Sequence, residues 1–403
     1  MSNPLAGKEI LLGVSGSIAA YKAVELASRL TKQGAIVSTI LTDSAVKFVN
    51  PISFQSVTGQ KAYIEADLWG SEGHVTHIGL GHKADFFAIA PASANTIAKL
   101  ANGIADNLLT VTAIACHCPM LIAPAMDAGM FDHVATQSNV AILKERGVHF
   151  SGPMPGHLAS GLVGVGRMSE PQDIHARIRY LLSKSGPLTG KKIMVTAGGT
   201  QEAIDPVRRI TNRSSGKQGV AIAQAAADAG AEVTLIIAPH YLCLPDGIKI
   251  IDVVSAAEMH TAVMQHIPAQ DVLIMSAAVA DFRPIENETK IKKGKGIPQL
   301  VLEQTEDILL AVHQQKQKDN LDLKVIGFAA ESDHLLEHAS QKVQSKGLDM
   351  IVANDISKPN VGFSGDTNQV SLVLADGTIE NYPLMQKSEV ADLILQKIAL
   401  WSS

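Results

Sequence analysis

Cysteine is scarce. The chain of 403 residues holds three, Cys116, Cys118 and Cys243. That excludes a disulfide-stapled fold and suits a reducing compartment. No signal segment is visible before MSNPLAGKEI runs into a first strand, so the expected location is the cytoplasm. Excess charge of one sign is lacking as well. A net charge of −5 gives no electrostatic case for nucleic acid. Uninterrupted apolar runs of membrane length are also missing. The stretch LLTVTAIACHCPMLIAPAM, Leu108 to Met126, has no Asp, Glu, Lys or Arg, but His117, Pro119 and Pro124 break it. It reads as a buried helix, a turn and a short strand rather than a membrane span. Cys116-His117-Cys118 lacks a second ligand pair, so these cysteines are assigned to the core and not to a metal.

What is present is 46% hydrophobic and 18% charged residues, the balance of a soluble globular protein. The length calls for two domains of about 200 residues each. Two similar units open them, GKEILLGVSGSIAAYKA from Gly7 and GKKIMVTAGGTQEAIDP from Gly190. In each, an apolar β-rich run ends in small residues, as it must where backbone N–H groups approach a phosphate at a helix start. Each then passes through an Ala-rich helix to a second strand entered by a glycine, Gly34 and Gly230. The first unit takes 27 residues from glycine to glycine and the second takes 40. The extra length falls in DPVRRITNRSSGKQG, an inserted substrate loop.

Strand and helix patterns alternate through both halves, which predicts parallel sheets with crossover helices. The expected strands are EILLGV, IVSTILT, DFFAIAP and PMLIAPAM, then KIMVTAG, EVTLIIA, VLIMSAAV, VIGFAAE and DMIVAND. Asp376-Gly377 between two alternating runs predicts a late β-hairpin. SKSGPLTG, Ser183 to Gly190, is the domain boundary, giving domains 1–186 and 187–403. KIKKGKG, Lys290 to Gly296, reads as a basic loop.

GVSGSIAAYK, LTDSA, APASANTIAKLANGIADNLL and APAM occur in that order over roughly residues 7–170, and this half resembles the flavin-dependent cysteine decarboxylases. The resemblance implies a flavodoxin-like flavoprotein domain holding FMN through Gly16, Ser17, Thr42, Ser93, Asn95, Thr96, Ala125 and Met126. From the residues alone, Gly16, Ser17 and Thr42 lie at the C-terminal ends of consecutive strands, where doubly wound sheets bind ligands. Ser93, Asn95 and Thr96 offer hydroxyls and an amide at a helix start, although PASANT by itself is also an ordinary helix cap. His77, in HVTHIGLGHKAD, matches the family's active-site base, whereas His74 and His82 read as surface residues. The implied chemistry is an oxidative decarboxylation of 4′-phosphopantothenoylcysteine. Two substrate-facing catalytic positions depart from the family pattern: Asp127 stands in place of a common Asn, and Ser160 in GHLASGLVGVGRM in place of a common Cys. An unpaired Asp127 carboxylate would repel a substrate carboxylate, and a serine is a much weaker acid than a thiol.

TAGGTQEAIDPVRRITNRSSGKQG, SAAVADFRP, KIKK, IGFAAES, IVANDIS and GFSGDTNQV follow over about residues 188–400, and this half resembles the phosphopantothenate–cysteine ligases. Fused in this order, the halves are similar to the bacterial bifunctional enzymes of coenzyme A biosynthesis. The implied fold is α/β, two tandem Rossmann-like doubly wound domains. The implied reaction activates phosphopantothenate with CTP as an acyl-cytidylate, which the cysteine amine attacks to release CMP. Asn212 matches the position that holds the acyl-cytidylate, and Lys292 the catalytic lysine. Asp281, Lys292, Asp307, Ile308, Leu309, Leu310, Phe328, Lys342 and Lys346 match nucleotide contacts. Lys342 and Lys346 are spaced i, i+4, so one helix can present both. Mg²⁺ bridging the phosphates is expected on general grounds.

The partners implied are phosphopantothenate, cysteine and CTP, with no nucleic acid and no membrane. A homo-oligomer is implied too, with trimeric flavin sites and dimeric ligase domains, up to a dodecamer. Two other readings stay open. One is an active ligase whose decarboxylase domain is impaired or serves as a flavoprotein scaffold. The other is an NAD(P) oxidoreductase, which ranks well below because neither turn gives GxGxxG with an acidic residue about 20 positions on.

Overall fold

The chain is described from a computed structural model that covers residues 3–69, 75–292, 299–331, 335–355 and 365–401. His74, Lys293 to Gly296 and parts of the IGFAAES, IVANDIS and GFSGDTNQV motifs lie outside the described residues. The chain divides into two compact units between Ser183 and Lys184.

In the first unit six parallel strands stand side by side in the order Ala62–Tyr63, Ile36–Leu41, Glu9–Val14, Phe86–Ala92, Met120–Pro124 and His149–Phe150. Helices cover both faces, so the strands are buried on both sides and read as nearly continuous apolar runs. Alternation still sorts them. Ile10, Leu12 and Val14 pack into one core with Ala23, Leu26 and Leu30, and Leu11 faces the other core with Phe87 and Ile89. The helix Ala20–Lys32 buries Ala20, Ala23, Leu26, Ala27 and Leu30 at helical spacing and ends in Arg29 and Lys32, which suit the negative end of its dipole.

In the second unit the same order recurs: Lys249–Asp252, Glu232–Ile237, Lys192–Ala197, Val272–Met275, Lys324–Glu331 and Met350–Asp355, all parallel. Two antiparallel strands, Val370–Leu374 and Ile379–Asn381, extend this sheet. They form the hairpin expected at Asp376-Gly377, where Gly377 takes φ +85° and its N–H donates to Leu374 O at 3.0 Å. The repeat of core sides holds as well, with Ile193, Val195 and Ala197 on one face and Met194 on the other.

Both halves are therefore Rossmann-like and doubly wound. The first sheet runs 3-2-1-4-5-6 in chain order, which is the flavodoxin order 2-1-3-4-5 with one short strand added at its edge. The added strand is the two-residue Ala62–Tyr63. It pairs outside Ile36–Leu41 and keeps the third crossover on the same side of the first strand. The stretch Leu108–Met126 resolves as anticipated, a helix Leu108–Ala115 capped by Asn107 and a strand Met120–Pro124. Among the described residues no helix is long and apolar enough to cross a membrane.

Candidate functional sites

In a sheet of this order the crevice lies beyond the C-terminal ends of the first and fourth strands. In the first unit those ends lead into Ser15-Gly16-Ser17 and into Ser93–Thr96. Ser15 is buried. Its hydroxyl donates to Pro91 O at 2.9 Å and accepts from Ser93 N at 2.8 Å, so one side chain ties the two turns together. Gly16 is required by close approach, since a Cβ there would lie 2.4 Å from Ser44 Cβ. Thr42 caps the short helix Asp43–Val46, its hydroxyl accepting from Ala45 N at 3.2 Å. Ser93 caps the helix Ala94–Asn102, accepting from Thr96 N at 3.3 Å, with the Thr96 hydroxyl 3.1 Å away. Hydroxyls, a helix start and a turn with no room for a side chain thus converge on one crevice. They fit a phosphorylated flavin in the terms of donor chemistry and backbone approach.

Beside this crevice lies a cavity of about 430 Å³ whose lining includes Ser17, Ala125, Met126, Asp127, Ser160 and Arg167. Its roof is the hairpin Met154–His157 and Val163–Arg167. Gly166 lets that hairpin touch the main chain: a Cβ there would fall 2.2 Å from Met126 O, and Met126 N donates to Gly166 O at 3.1 Å. The two departures from the family pattern meet here. Ser160 Oγ donates to Asp127 Oδ2 at 2.6 Å, and Asp127 Oδ1 accepts from Gly129 N at 3.0 Å. The Asp127 carboxylate is thus paired rather than bare. Lys22, which the sequence reading passed over, also lines the cavity. Its ammonium donates to Glu170 at 2.8 Å, and Arg167 donates to the same oxygen at 2.8 Å. The Lys22 hydrogen bond, aided by the charges of Lys22 and Arg167, holds the Glu170 carboxyl below the ordinary glutamate value.

His77 sits in the helix Thr76–Lys83, outside the lining of that cavity. Its Nδ1 is buried and has no hydrogen-bond partner among the described residues. The His82 ring lies 6.1 Å from that of His117. Cys116 and Cys118 pack half-buried against the core, Cys243 is exposed, and all three are free thiols. Among the described residues no group of three or more His, Cys, Asp or Glu is placed to hold a metal.

The second unit has its crevice in the equivalent place. Gly198-Gly199 follow the first strand, and the Gly199–Ala278 bridge joins them to the turn after Val272–Met275. That strand stops earlier than VLIMSAAV suggests because Ala277 N turns to donate to Thr196 Oγ1 and Ala278 N to Gly198 O. The freed residues floor two adjoining cavities of about 280 and 210 Å³ that share Ala277, Val279, Asp281 and Phe328. Lys342 lines the first, and Asp307, Ile308, Leu309 and Lys346 line the second. Lys342 lies in the helix Leu335–Ser345 and Lys346 one residue beyond it, still bonded i, i+4 through Lys346 N to Lys342 O. Lys346 pairs with Asp307, which caps the helix Ile308–Lys318 by accepting from Leu310 N at 3.1 Å. Burial pushes the Asp307 carboxyl up, but the Lys346 bond and the helix N–H groups outweigh it and leave it low. Leu310 itself is outside both linings.

Asn212 reaches the same floor from the inserted loop, its amide donating to Ala278 O at 3.1 Å and to Val279 O at 3.4 Å. The insertion is a β-hairpin, Gln201–Asp205 with Arg208–Thr211. Lys292 is exposed and lies outside both linings. Sequence reasoning did not find Gln218, Asn354 and Asn368. All three line the larger cavity, and each has a buried amide oxygen with no hydrogen-bond partner among the described residues. It also missed Lys387, buried in the same wall, whose ammonium donates to Gly365 O at 2.6 Å. Burial, with the nearby charge of Lys217, lowers the Lys387 pKa against the opposing pull of Asp366.

Residues 1–183 match the family described as flavoprotein, and residues 188–401 match the DNA/pantothenate metabolism flavoprotein C-terminal domain. Over 402 residues the chain is 43% identical to the coenzyme A biosynthesis bifunctional protein CoaBC of Bacillus subtilis (strain 168), covering 99% of this chain and 98% of that one. It is 41% identical over 395 residues to the protein of the same name from Vibrio cholerae serotype O1, covering 98% of each. It is 45% identical over 329 residues to a cysteine/cysteine sulfinic acid decarboxylase from an unknown prokaryotic organism, covering 80% of this chain and 91% of that one.

Proposed function

Since the chain belongs to the family of coenzyme A biosynthesis bifunctional proteins, we propose that it carries two activities on one chain, a ligase in the second half and a flavin-dependent decarboxylase in the first. The ligase joins 4′-phosphopantothenate to cysteine with CTP, through an acyl-cytidylate. The decarboxylase converts the product, 4′-phosphopantothenoylcysteine, to 4′-phosphopantetheine with FMN. The observation that carries the reading is the end-to-end match to relatives of that name, spanning both crevices. The setting is the cytoplasm, in keeping with three free thiols.

In the ligase an unactivated carboxylate is a poor electrophile, and CTP supplies the leaving group as a mixed anhydride. Anionic groups meeting at one place need donors and cations at close range. Lys342, Lys346 and Lys292 are assigned that role, with Mg²⁺ carried in on the triphosphate. Asp281, Phe328 and the segment Asp307 to Leu309 shape the nucleotide pocket. Asn212 orients the acyl-cytidylate. Its support is the amide pinned on the cavity floor at Ala278 O and Val279 O.

In the decarboxylase Gly16, Ser17, Thr42, Ser93, Asn95, Thr96, Ala125 and Met126 hold FMN. Held there, FMN would supply reversible two-electron chemistry at the cysteine side chain, which would let the neighbouring carboxylate leave as CO₂. The protein orients the substrate under the 154–167 hairpin and handles protons. His77 is the assigned base, supported by a buried Nδ1 without a partner among the described residues. A trimeric flavin site would bring His77 of one copy to a cavity that it does not line in its own chain. Exposed Trp69, Val75 and Ile78 on and beside the His77 helix suit such a contact. Val207 at the turn of the inserted hairpin, and Phe282 and Leu302 on the antiparallel pair Phe282–Pro284 and Leu302–Gln304, are exposed and suit a dimer of ligase domains. A second reading keeps the ligase and lets the first half serve as a weak decarboxylase or scaffold, because Asp127 is engaged by Ser160.

The test is incubation of the purified, yellow protein with phosphopantothenate, cysteine, CTP and Mg²⁺, followed by mass spectrometry. The expected products are 4′-phosphopantetheine, CMP, pyrophosphate and CO₂. Product arrested at phosphopantothenoylcysteine would support the second reading. Decarboxylation of cysteine supplied alone, with no CTP, would overturn the assigned substrate of the first half.

A further inference from the structure

Asp205 closes the turn of the inserted hairpin, and its side chain is fully buried. Its two oxygens do different work. Oδ1 accepts from Val207 N and Arg208 N, both at 2.8 Å, and shapes the turn. Oδ2 accepts from Arg208 Nη1 at 2.9 Å and from Ile291 N at 3.1 Å, 86 positions away in the chain. Arg208 Nη1 also donates to Ile291 O at 3.3 Å, and Asn287 N donates to Ile204 O at 3.0 Å. The segment that carries Lys292 is therefore stitched to the hairpin that leads into Asn212. Burial pushes the Asp205 carboxyl up, and the main-chain N–H groups of Val207, Ile291 and Arg208 outweigh it and keep it ionised.

We propose that Asp205 is a positioning residue of the ligase: its Oδ2 docks the segment carrying Lys292 onto the hairpin carrying Asn212, so that both reach one crevice as a unit. The proposal rests on the ligase reading above. The physical need is plain. Lys292 is exposed and follows Ile291 directly, and a lysine on an unanchored loop spreads its ammonium over a wide volume. Effective catalysis requires the charge held near the reacting phosphate, and a displacement of 1 Å can cost about 100-fold in rate. Two hydrogen bonds to the peptide units of Ile291, one at its N–H and one at its carbonyl, fix the backbone from which Lys292 departs. A carboxylate suits this place better than an amide, because four donors converge on it and an amide has one accepting oxygen.

That asymmetry gives a selective variant. In D205N the remaining oxygen can still close the turn at Val207 and Arg208. The new NH₂ then faces two donors, Ile291 N–H and Arg208 Nη1, and the docking is lost. The expected result is a fall in the kcat of ligation of at least about 10-fold, with KM for CTP changed by less than about 3-fold, since the nucleotide pocket is built by other elements. Flavin content should be unchanged. Limited trypsin digestion should cleave after Lys290 and Lys292 about 10-fold faster than in the wild type. On the unmodified protein, hydrogen exchange at the Ile291 amide should be as slow as at the hairpin amides. Wild-type kcat in D205N would overturn the proposal. So would an Ile291 amide that exchanges like a free loop, whether or not the variant folds. If the wild-type protein itself forms no phosphopantothenoylcysteine, the ligase reading fails instead, and the digestion and exchange measurements still judge the docking.

Discussion

The turn after Glu9–Val14 and the turn after Lys192–Ala197 hold equivalent places in two sheets whose six parallel strands share one order, and they are filled differently. In the first half the chain goes straight from strand to helix. Gly16 is pressed against Ser44, and the buried Ser15 hydroxyl couples this turn to Pro91 and Ser93. The crevice is ready-made from residues close to the strand ends. In the second half a hairpin intervenes, and the polar groups reach the crevice from elsewhere: Asn212 from the hairpin, Lys342 and Lys346 from the end of a helix. The same sheet thus supports two ways of making a site, one by tight packing of a turn and one by assembly of inserted parts. A tightly packed site suits a resident cofactor. An assembled one suits substrates that must come and go.

The sharpest way to separate the halves is Lys292→Gln. Ligation should fall by about 100-fold, or about 2.7 kcal/mol of transition-state stabilisation, while the protein stays yellow. A variant that still forms phosphopantothenoylcysteine at near the wild-type rate would remove Lys292 from the site.

Acid should strain the first half. Burial, with the charges of Arg179 and Arg29, lowers the His175 pKa from 6.5 to about 4. The fold therefore favours the neutral ring. The stability this provides is fully present above pH 6.5 and is lost as the pH falls toward 4. At pH 5 the loss should be about 1–2 kcal/mol, allowing for partial exposure of the ring. Thermal unfolding at pH 7 and pH 5, with flavin release marking the first half, should show a smaller pH dependence in His175→Gln. Equal slopes for the variant and the wild type would refute the assignment.

Gly16→Ala tests the tight turn. Its Cβ would meet Ser44 Cβ at 2.4 Å. Overpacking of this kind costs about 1–3 kcal/mol, so flavin content should drop by about 10-fold while ligation is untouched. Full flavin occupancy would show that the turn has slack.

The smallest effect is expected at the paired departures. Asp127→Asn with Ser160→Cys should raise 4′-phosphopantetheine release several-fold. The single changes should not add, because the two side chains share one hydrogen bond. A wild-type rate already above that of the double variant would show that the Asp127–Ser160 pair is itself the working arrangement.

Strand positions were legible because parallel strands covered on both faces must be apolar throughout, as in EILLGV and KIMVTA. The two-residue strands Ala62–Tyr63 and His149–Phe150 were not, since two residues carry no period. Nor was the hairpin Met154–His157 with Val163–Arg167, whose glycines are set by contact with Met126 and Ala128 rather than by a strand pattern. The crevice residues of the first half stand next to the strands that place them, so motif and geometry coincide. What the sequence could not reveal were links between distant positions: Lys22 with Glu170, Asp127 with Ser160, Asp205 with Ile291. Pairings of that kind are decided by the whole fold and leave no local trace.

The sheet margins bear on how copies of the chain can meet. The first sheet ends on both sides in strands of two residues, and the second in strands of four and three. A margin that short exposes too few unpaired N–H and C=O groups to template another strand. Growth of either sheet from one molecule into the next is therefore closed off. A contact between copies would then use other surfaces, such as the helices and the small hairpins.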